Sequence, residues 1–240
     1  MLQAALNGPF TKADHPAVPT SSAELAEDAE ACVEAGAGAF HIHPRDAEGK
    51  ERLDASVVDT VVAAVRSRHG CPVGVSTGAW IEPDVERRTR LVSEWREPDY
   101  ASVNVSEHGS FDVMRALIGA GIGIEAGVWS VEDVESLVDS GLAEQATRVL
   151  VEPVDVGRED AVAVVDDIHR VLDRHDVAVP RLQHGDGEAV WILLEDAVAR
   201  GIGTRIGLED TLLLPDGAPA AGNAALVRAA RELGAGGLTG

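Results

Sequence analysis

Two histidines close together in the chain have the spacing of a divalent-metal site. His41 and His43 stand at positions i and i+2 of the segment AFHIHPR. Because side chains along an extended strand alternate between its two faces, both imidazoles point to the same side. Two imidazoles on one face can chelate an ion such as zinc. The alternative is a structural pair, with one histidine capping a helix and the other packing in the core.

A two-histidine pair needs a further ligand, and the segment RIGLED supplies carboxylates at Glu209 and Asp210. His41, His43 and Glu209 would form a set of two histidines and one carboxylate, with a coordination position left open for water or substrate. Arg205 would keep a neighbouring carboxylate ionised and oriented. Asp210 is then a candidate general base. Alternatively, the two acidic residues only mark the start of a helix.

Other polar residues stand at or near the ends of apolar, strand-like segments. A serine, a threonine and a glycine after one strand offer hydroxyl and N–H groups that suit a carboxylate or phosphate. A glutamate inside an otherwise apolar strand must be hydrogen-bonded or functional. A structural role is the alternative for each. The candidates are Ser76, Thr77, Gly78, Ser102, Asn104, Glu125, Gln183 and His184.

Short strands and amphipathic helices must position these residues, and they alternate without a low-complexity linker. Several strands are rich in Val and Ile and bounded by Gly or Pro, as buried parallel strands are. Strands are predicted at 2–8, 39–44, 72–78, 100–105, 123–128, 148–154, 180–185 and 204–209. Helices are predicted at 22–35, 55–69, 84–95, 131–140, 159–175, 188–200 and 223–233.

Eight repeats in 240 residues predict an α/β fold, a (β/α)8 TIM barrel formed by residues 1–240 as a single domain. A doubly wound open sheet is the alternative, but it rarely uses eight regular units. Ser21 and Glu24 have the spacing of a helix capping box, and Gly36 stands where a helix would end. In a barrel, polar residues at the carboxyl ends of strands face the active site, where the second and eighth strands can share a layer.

Composition limits the possible functions. A net charge of −21 argues against nucleic-acid binding, and no apolar run has the length of a membrane span. Cys32 and Cys71 are too few for a disulfide framework or a cysteine-based metal site. The first residues lack the basic stretch of a secretory signal, so a cytoplasmic location is predicted. Lys12 and Lys50 are the only lysines, and neither is on a predicted strand, which disfavours Schiff-base chemistry.

These motifs together resemble the beta-keto acid cleavage enzyme family along nearly the whole chain. The H-x-H-x-R motif that begins at His41 and the R-x-G-x-E-D motif that begins at Arg205 carry most of the resemblance. The other carriers are Asn7, Gly8, Thr11, Lys12, Pro16, Ala17, Val18, Pro19, Ser76, Thr77, Gly78, Ile124 and Glu125.

The resemblance implies a zinc-dependent barrel that converts a β-keto acid and acetyl-CoA into acetoacetate and the CoA thioester of the remaining acyl group. Its zinc ligands would be His41, His43 and Glu209. Asp210 would be the base and Arg205 the residue that orients it. Among the other candidates, Ser76 would help hold the substrate carboxylate, Ser102 would supply a strand hydroxyl, and Glu125 would act in the active site. Family members commonly form homo-oligomers.

The chain also departs from the family pattern. Pro9-Phe10 stands where a family enzyme with a cationic substrate has a glutamate, so an uncharged or anionic acyl chain is predicted. The acidic chain does not favour the phosphates of CoA, which Arg45, Arg87 or Arg88 would have to bind. Trp80 and Trp129 follow strand ends and either wall a pocket or pack in loops. Two alternative functions share the metal site: a metal-dependent aldolase or hydrolase without CoA, and a binding or regulatory module.

Overall fold

A computed structural model describes residues 1–237 and shows eight strands that alternate with eight helices. The strands are β1 (Leu2–Ala5), β2 (Ala39–Ile42), β3 (Val73–Ser76), β4 (Tyr100–Asn104), β5 (Gly123–Val128), β6 (Arg148–Val151), β7 (Arg181–Gln183) and β8 (Gly203–Ile206). The helices are α1 (Ser22–Ala35), α2 (Ala55–Arg66), α3 (Val85–Ser93), α4 (Ser110–Ala120), α5 (Val131–Asp139), α6 (Arg158–Arg174), α7 (Val190–Arg200) and α8 (Asn223–Glu232). Single 3₁₀ turns occur at Ala143–Gln145 and Gly187–Ala189.

The strands form a closed barrel in the order β1 to β8, and all neighbouring strands are parallel. Gln3 in β1 pairs with Ala39 of β2 on one side and with Arg205 of β8 on the other. Since this pairing closes the sheet on itself, the predicted (β/α)8 TIM barrel is confirmed and the open-sheet alternative is excluded.

The helices cover the barrel with apolar faces that the sequence pattern indicates. Val165, Ile168 and Leu172 of α6 are fully buried, at the spacing of one helix face. The predicted ends of α1 are also confirmed. Ser21 and Glu24 form a capping box, and Gly36 ends the helix with a left-handed φ of 109°.

Two features of the fold differ from the sequence prediction. Helix α4 occupies the one interval between predicted strands for which no helix was predicted. Most strands also end earlier than predicted: β2 ends at Ile42 and β8 at Ile206. The polar residues that follow are not part of the strand pairing, because their backbone groups form hydrogen bonds within turns. One example is the hydrogen bond from the Asp210 N–H to the Gly207 carbonyl (2.9 Å).

A buried amide joins the last helix to the barrel. Asn223 begins α8 and is completely buried. Its Nδ2 donates to the Leu6 carbonyl (2.8 Å) and to Asp28 of α1 (2.6 Å), while its Oδ1 accepts from the Leu208 N–H (2.6 Å). One side chain thereby ties α1, α8 and the ends of two strands together. No helix within residues 1–237 combines the length and the apolar character needed to cross a bilayer.

Candidate active site

The two histidines and Glu209 converge where β2 and β8 end. His41 lies in β2 and His43 just beyond it, and both are 2% exposed. Nε2 of His41 lies 3.6 Å, and Nε2 of His43 3.4 Å, from Oε1 of Glu209. The structure therefore brings together the three ligands that the sequence predicted, with one ligand atom from each within 4.8 Å of the others.

The geometry of this group fits a divalent metal. Two ligands that are each about 2.1 Å from a tetrahedral zinc ion are about 3.4 Å apart, close to the histidine–carboxylate separations found here. Oε2 of Glu209 is buried without a hydrogen-bond partner in the described chain. Buried polar atoms rarely stay unpaired in a protein that lacks a further ligand. His41, His43 and Glu209 could thus hold a metal ion.

A turn after β8 brings both acidic residues to one arginine. A Cβ at Gly207 would lie 1.8 Å from the Ala5 carbonyl oxygen, so only glycine lets the chain turn this closely against β1. Nη2 of Arg205 then bonds Oε1 of Glu209 and Oδ1 of Asp210, each at 2.7 Å. Nε of the same guanidinium donates to Oδ1 of Asp210 at 3.1 Å. The arginine therefore fixes the candidate ligand and the candidate base relative to each other.

Burial and neighbouring charges set the protonation of the ligands. Burial and Arg205 hold the pKa of His41 well below its usual value, although Glu209 opposes them, so the imidazole is neutral and has a free lone pair. Burial alone would raise the pKa of Glu209. Arg205 and the two histidines outweigh it, and the pKa of this carboxyl lies well below its usual value. A neutral imidazole and an ionised carboxylate are the forms that bind metals.

His43 interacts with a second carboxylate, which the sequence did not indicate. Nδ1 of His43 lies 3.2 Å from Oε2 of Glu51. Burial opposes protonation of this histidine, but Glu209 and Glu51 outweigh it and raise its pKa to about 9. Glu51 lies in the loop between β2 and α2, where charged residues are ordinary. Its contact with a candidate ligand could only be found in the tertiary structure.

Asp210 also faces a histidine that directly follows β7. Nδ1 of His184 lies 3.6 Å from Oδ1 of Asp210, and its Nε2 lies 2.7 Å from Oε2 of Glu152. Burial raises the pKa of Asp210 although Arg205 and His184 act against it. Burial and Arg205 lower the pKa of His184, but Asp210 and Glu152 outweigh them and raise it. Glu152 is a further site residue, and its position near the end of a predicted strand was the available signal.

An open cavity of about 410 Å³ lies above these groups. His43, Arg205, Glu209 and Asp210 line its buried part, together with Asn104 and His184. Its size falls within the range of small-molecule sites. Two of the candidate metal ligands, His43 and Glu209, therefore share with the candidate base one cavity that is open to a substrate.

The remaining candidates differ in how near they come to this cavity. Asn104 lines the cavity, and its Nδ2 donates to Glu107 (2.9 Å). Within the described part of the chain, the cavity lining does not include Ser76, Thr77, Gly78 or Ser102. They bond to one another: the Thr77 hydroxyl donates to the Ser102 carbonyl (2.7 Å), and the Gly78 N–H donates to the Ser76 hydroxyl (3.2 Å).

Glu125 lies elsewhere, near the amino-terminal end of the barrel. It is fully buried and forms an ion pair with Arg148, the first residue of β6. Gln3 donates to it at 3.1 Å, and the Arg148 guanidinium lies 4.2 Å from the centre of the Tyr100 ring. None of these four residues lines the cavity within the described residues. The structure therefore does not bring Glu125 to the other candidates, and one oxygen of its carboxylate, Oε2, is held by Arg148 and Gln3.

The arginines considered for CoA phosphates are bound to other groups. Arg88 is 1% exposed and lies 3.5 Å from Glu107, so it is closed to a ligand. Arg45 donates to the Gly8 and Phe10 carbonyls, and Arg87 pairs with Glu82 at 2.9 Å. The prediction that Arg88 could offset phosphate charge is wrong, because the side chain is inside the protein.

Comparison with known proteins identifies the family to which this chain belongs. Among solved structures, 3-dehydroquinate dehydratase from Geobacillus kaustophilus has a TM-score of 0.66 at 12% identity, over 97% of this chain and 88% of that one. The N-acetylmannosamine-6-phosphate 2-epimerase from Clostridium perfringens has a TM-score of 0.59 at 12% identity, over 88% of this chain and 87% of that one. Such low identities show the barrel fold alone. A sequence profile of the beta-keto acid cleavage enzymes matches residues 1–236, and the chain belongs to that family.

Proposed function

We propose that this beta-keto acid cleavage enzyme transfers the acyl group of a β-keto acid to CoA, with acetyl-CoA as co-substrate and zinc as the metal. The C2–C3 bond of the β-keto acid breaks, and C2 forms a new bond to the acetyl carbon. The CoA sulfur leaves the acetyl group and bonds to the released acyl group. The products are acetoacetate and an acyl-CoA, and no oxidant or reductant is needed.

The observation that carries the proposal is the shared cavity of His43, Glu209 and Asp210 beside a fixed arginine. A zinc ion held by His41, His43 and Glu209 would act as a Lewis acid toward the keto oxygen of the substrate. The histidines would present imidazole nitrogens from the end of β2, while Arg205 orients the Glu209 carboxylate. Because the chain has only two lysines, a Schiff base with the substrate is a poor alternative to a metal ion.

Asp210 is the proposed general base. It would take a proton from C2 of the substrate and return it after the C2–C3 bond has broken. Its carboxylate lines the cavity and is held by Nε and Nη2 of Arg205, so its oxygens have a defined direction. Arg205 is thus the positioning residue of the proposed mechanism.

The substrate carboxylate would lie near the ends of β3 and β4. Asn104 reaches the cavity and is the first proposed contact. Ser76, Thr77, Gly78 and Ser102 are proposed to form the support behind it, since their hydrogen bonds to one another hold the two strand ends together. We propose no catalytic contact for Glu125. Assembly into a homo-oligomer is proposed from the family alone.

The test is an assay of purified enzyme whose metal content has been measured. β-Keto acids are supplied with and without acetyl-CoA, and acetoacetate and new CoA thioesters are quantified. Product that requires both zinc and acetyl-CoA is the expected result. Turnover without acetyl-CoA would instead assign a metal-dependent aldolase or hydrolase. Bound zinc without any turnover, or the absence of bound metal at full zinc supply, would contradict the proposal.

A further inference from the structure

The outer part of the cavity is walled by two tryptophans that approach it from different loops. Trp80 follows β3 and Trp129 follows β5. Both line the cavity together with Pro9, Pro153 and Val154. We call these five residues the indole pocket. Its walls are apolar, whereas the deeper part of the cavity holds the candidate catalytic groups.

Trp80 is held in place although much of it is exposed. Its Nε1 donates to Oε2 of Glu51 at 2.9 Å, and its ring stacks on His43 with 6.1 Å between the ring centres. A Cβ at Gly78 would lie 2.3 Å from the indole, so glycine is required for the ring to rest there. The side chain nevertheless remains 57% exposed. A large apolar surface that is fixed and left open to a cavity is typical of a ligand contact.

Trp129 is fixed in the same manner, by a carboxylate that accepts from its indole nitrogen. Its Nε1 donates to Oε1 of Glu152 at 2.8 Å, and its backbone N–H donates to Asp133 at 2.8 Å. Since both indole N–H groups are already bonded to carboxylates, the two rings offer a ligand only their apolar surfaces. A substrate group between them would gain from burial and would find no hydrogen-bond donor there.

The charged groups around the cavity are largely paired with one another. Arg205 is the only lysine or arginine among the described lining residues, and Glu209 and Asp210 occupy it. Glu152 is engaged by His184 and Trp129. Asp186 is exposed at the rim and is the remaining acidic group. Among the described residues that line this cavity, an anionic substituent would therefore meet no free cation. A cationic substituent would have to move away from the apolar walls to reach Asp186.

We infer that the acyl substituent of the β-keto acid is an uncharged hydrocarbon group that packs between Trp80 and Trp129. These two residues determine the acyl specificity of the enzyme. The inference rests on the proposed function, because it assumes that C2 of the β-keto acid lies at Asp210 and that its carboxylate lies near the ends of β3 and β4. The acyl chain then points outward into the indole pocket.

The experiment compares three substrates of similar length whose acyl chains end in a methyl, a carboxylate or an ammonium group. These are 3-oxoheptanoate, 3-oxoadipate and 6-amino-3-oxohexanoate. With zinc-loaded enzyme and acetyl-CoA, we expect kcat/KM to be at least about tenfold higher for 3-oxoheptanoate. Each methylene removed from the apolar chain should lower kcat/KM about fourfold. A higher kcat/KM for either charged acid overturns the inference.

Variants of the pocket test the roles of the named residues. Trp129→Ala should make kcat/KM less dependent on the length of the acyl chain. Trp129→Phe, which keeps an apolar ring, should retain most of this dependence. Val154→Lys, which adds a cation to the wall, should move the preference toward 3-oxoadipate by about tenfold or more. Trp191→Leu is the matched control, because this tryptophan lies outside the indole pocket. A chain-length dependence unchanged in Trp129→Ala contradicts the inference.

Binding measured without turnover separates this inference from the proposed function. The affinities of the three acids are obtained from indole fluorescence of zinc-loaded enzyme without acetyl-CoA. Tighter binding of 3-oxoheptanoate supports the indole pocket even if no acyl transfer occurs, a result that would overturn the proposed function alone. Acyl transfer with tighter binding of a charged acid overturns the inference and leaves the proposed function standing.

Discussion

Glu51 places a carboxylate oxygen 3.2 Å from Nδ1 of His43, on the side of the ring away from Glu209. The oxygen is close but off the ideal direction of the ring N–H, since Nδ1 makes no complete hydrogen bond within the described chain. Because the pKa of His43 is about 9, a metal would have to displace the Nε2 proton, and the Glu51 carboxylate would keep the other proton on Nδ1. The same Glu51 oxygen accepts from Trp80, so it joins the candidate metal site to the pocket wall.

Replacement of this carboxylate should weaken metal binding. We expect Glu51→Gln to lower the zinc affinity about 10- to 100-fold, because the ring of His43 loses the group that orients it. Zinc affinity is measured by competition with a chromophoric chelator. Glu48→Gln, an exposed change in the same loop, is the control. Equal zinc affinity in both variants would show that Glu51 does not support the ligand.

Each of the three proposed ligands should be needed for metal binding. His41→Ala, His43→Ala and Glu209→Gln should all be purified without stoichiometric zinc, because each change removes one of the three protein ligands. Metal content by elemental analysis, with circular dichroism to show that the barrel is folded, checks this result. Full zinc content in any folded variant would remove that residue from the ligand set.

Asp210 and Glu209 are neighbours with different proposed roles. Asp210→Asn should keep zinc bound and lower kcat by about 10²- to 10⁴-fold, because the amide cannot accept the substrate proton. The measurement is zinc content and kcat on the same preparation, with Glu209→Gln for comparison. If Asp210→Asn lost the metal and Glu209→Gln kept it, the two roles would have to be exchanged.

Glu125 should matter for stability and not for the reaction. Glu125→Gln leaves the Arg148 guanidinium buried without its ion-pair partner, and we expect the free energy of unfolding to fall by about 3 kcal/mol. Zinc affinity and KM should not change. The double variant Glu125→Gln with Arg148→Met should recover part of the loss, since the stranded charge is gone. A large fall in kcat at unchanged stability would support a catalytic role for Glu125.

Asp28 should make stability depend on pH. Burial raises the pKa of this carboxyl from 3.8 to about 6, although the Asn223 amide opposes the shift. The native state therefore binds the extra proton more tightly than the unfolded chain, so this group's contribution to stability is present below about pH 4 and lost as the pH rises through 6. Asp28→Asn should raise the free energy of unfolding at pH 8 by up to about 3 kcal/mol.

Denaturant unfolding at pH 4 and pH 8 measures this difference between variant and parent. The gain in Asp28→Asn should shrink toward zero at pH 4, where the native carboxyl is already protonated. Glu27→Gln, an exposed change on the same helix, should show no such pH dependence. An equal gain at both pH values would mean that the effect does not come from the carboxyl group.

The amino-acid sequence by itself determined the barrel and most of the metal site. Eight alternating strand and helix patterns leave few ways to bury so many strands, and a closed barrel is the regular one. The spacing of His41 and His43 places both rings on one face wherever the strand lies. The RIGLED segment brings an arginine and two carboxylates together locally, because a turn after β8 needs only neighbouring residues.

Tertiary structure alone decided the height of each residue in the barrel and the contacts between loops. Strand alternation predicts which face a side chain occupies but not its level along the barrel axis, which depends on strand register. Glu125 therefore points inward, yet it meets Arg148 and Gln3 near the amino-terminal ends of the strands. Glu51 reaches His43 because the loop after β2 turns back on itself, where Arg45 and Glu51 form an antiparallel bridge, and the spacing of charged residues in a loop does not indicate such a turn.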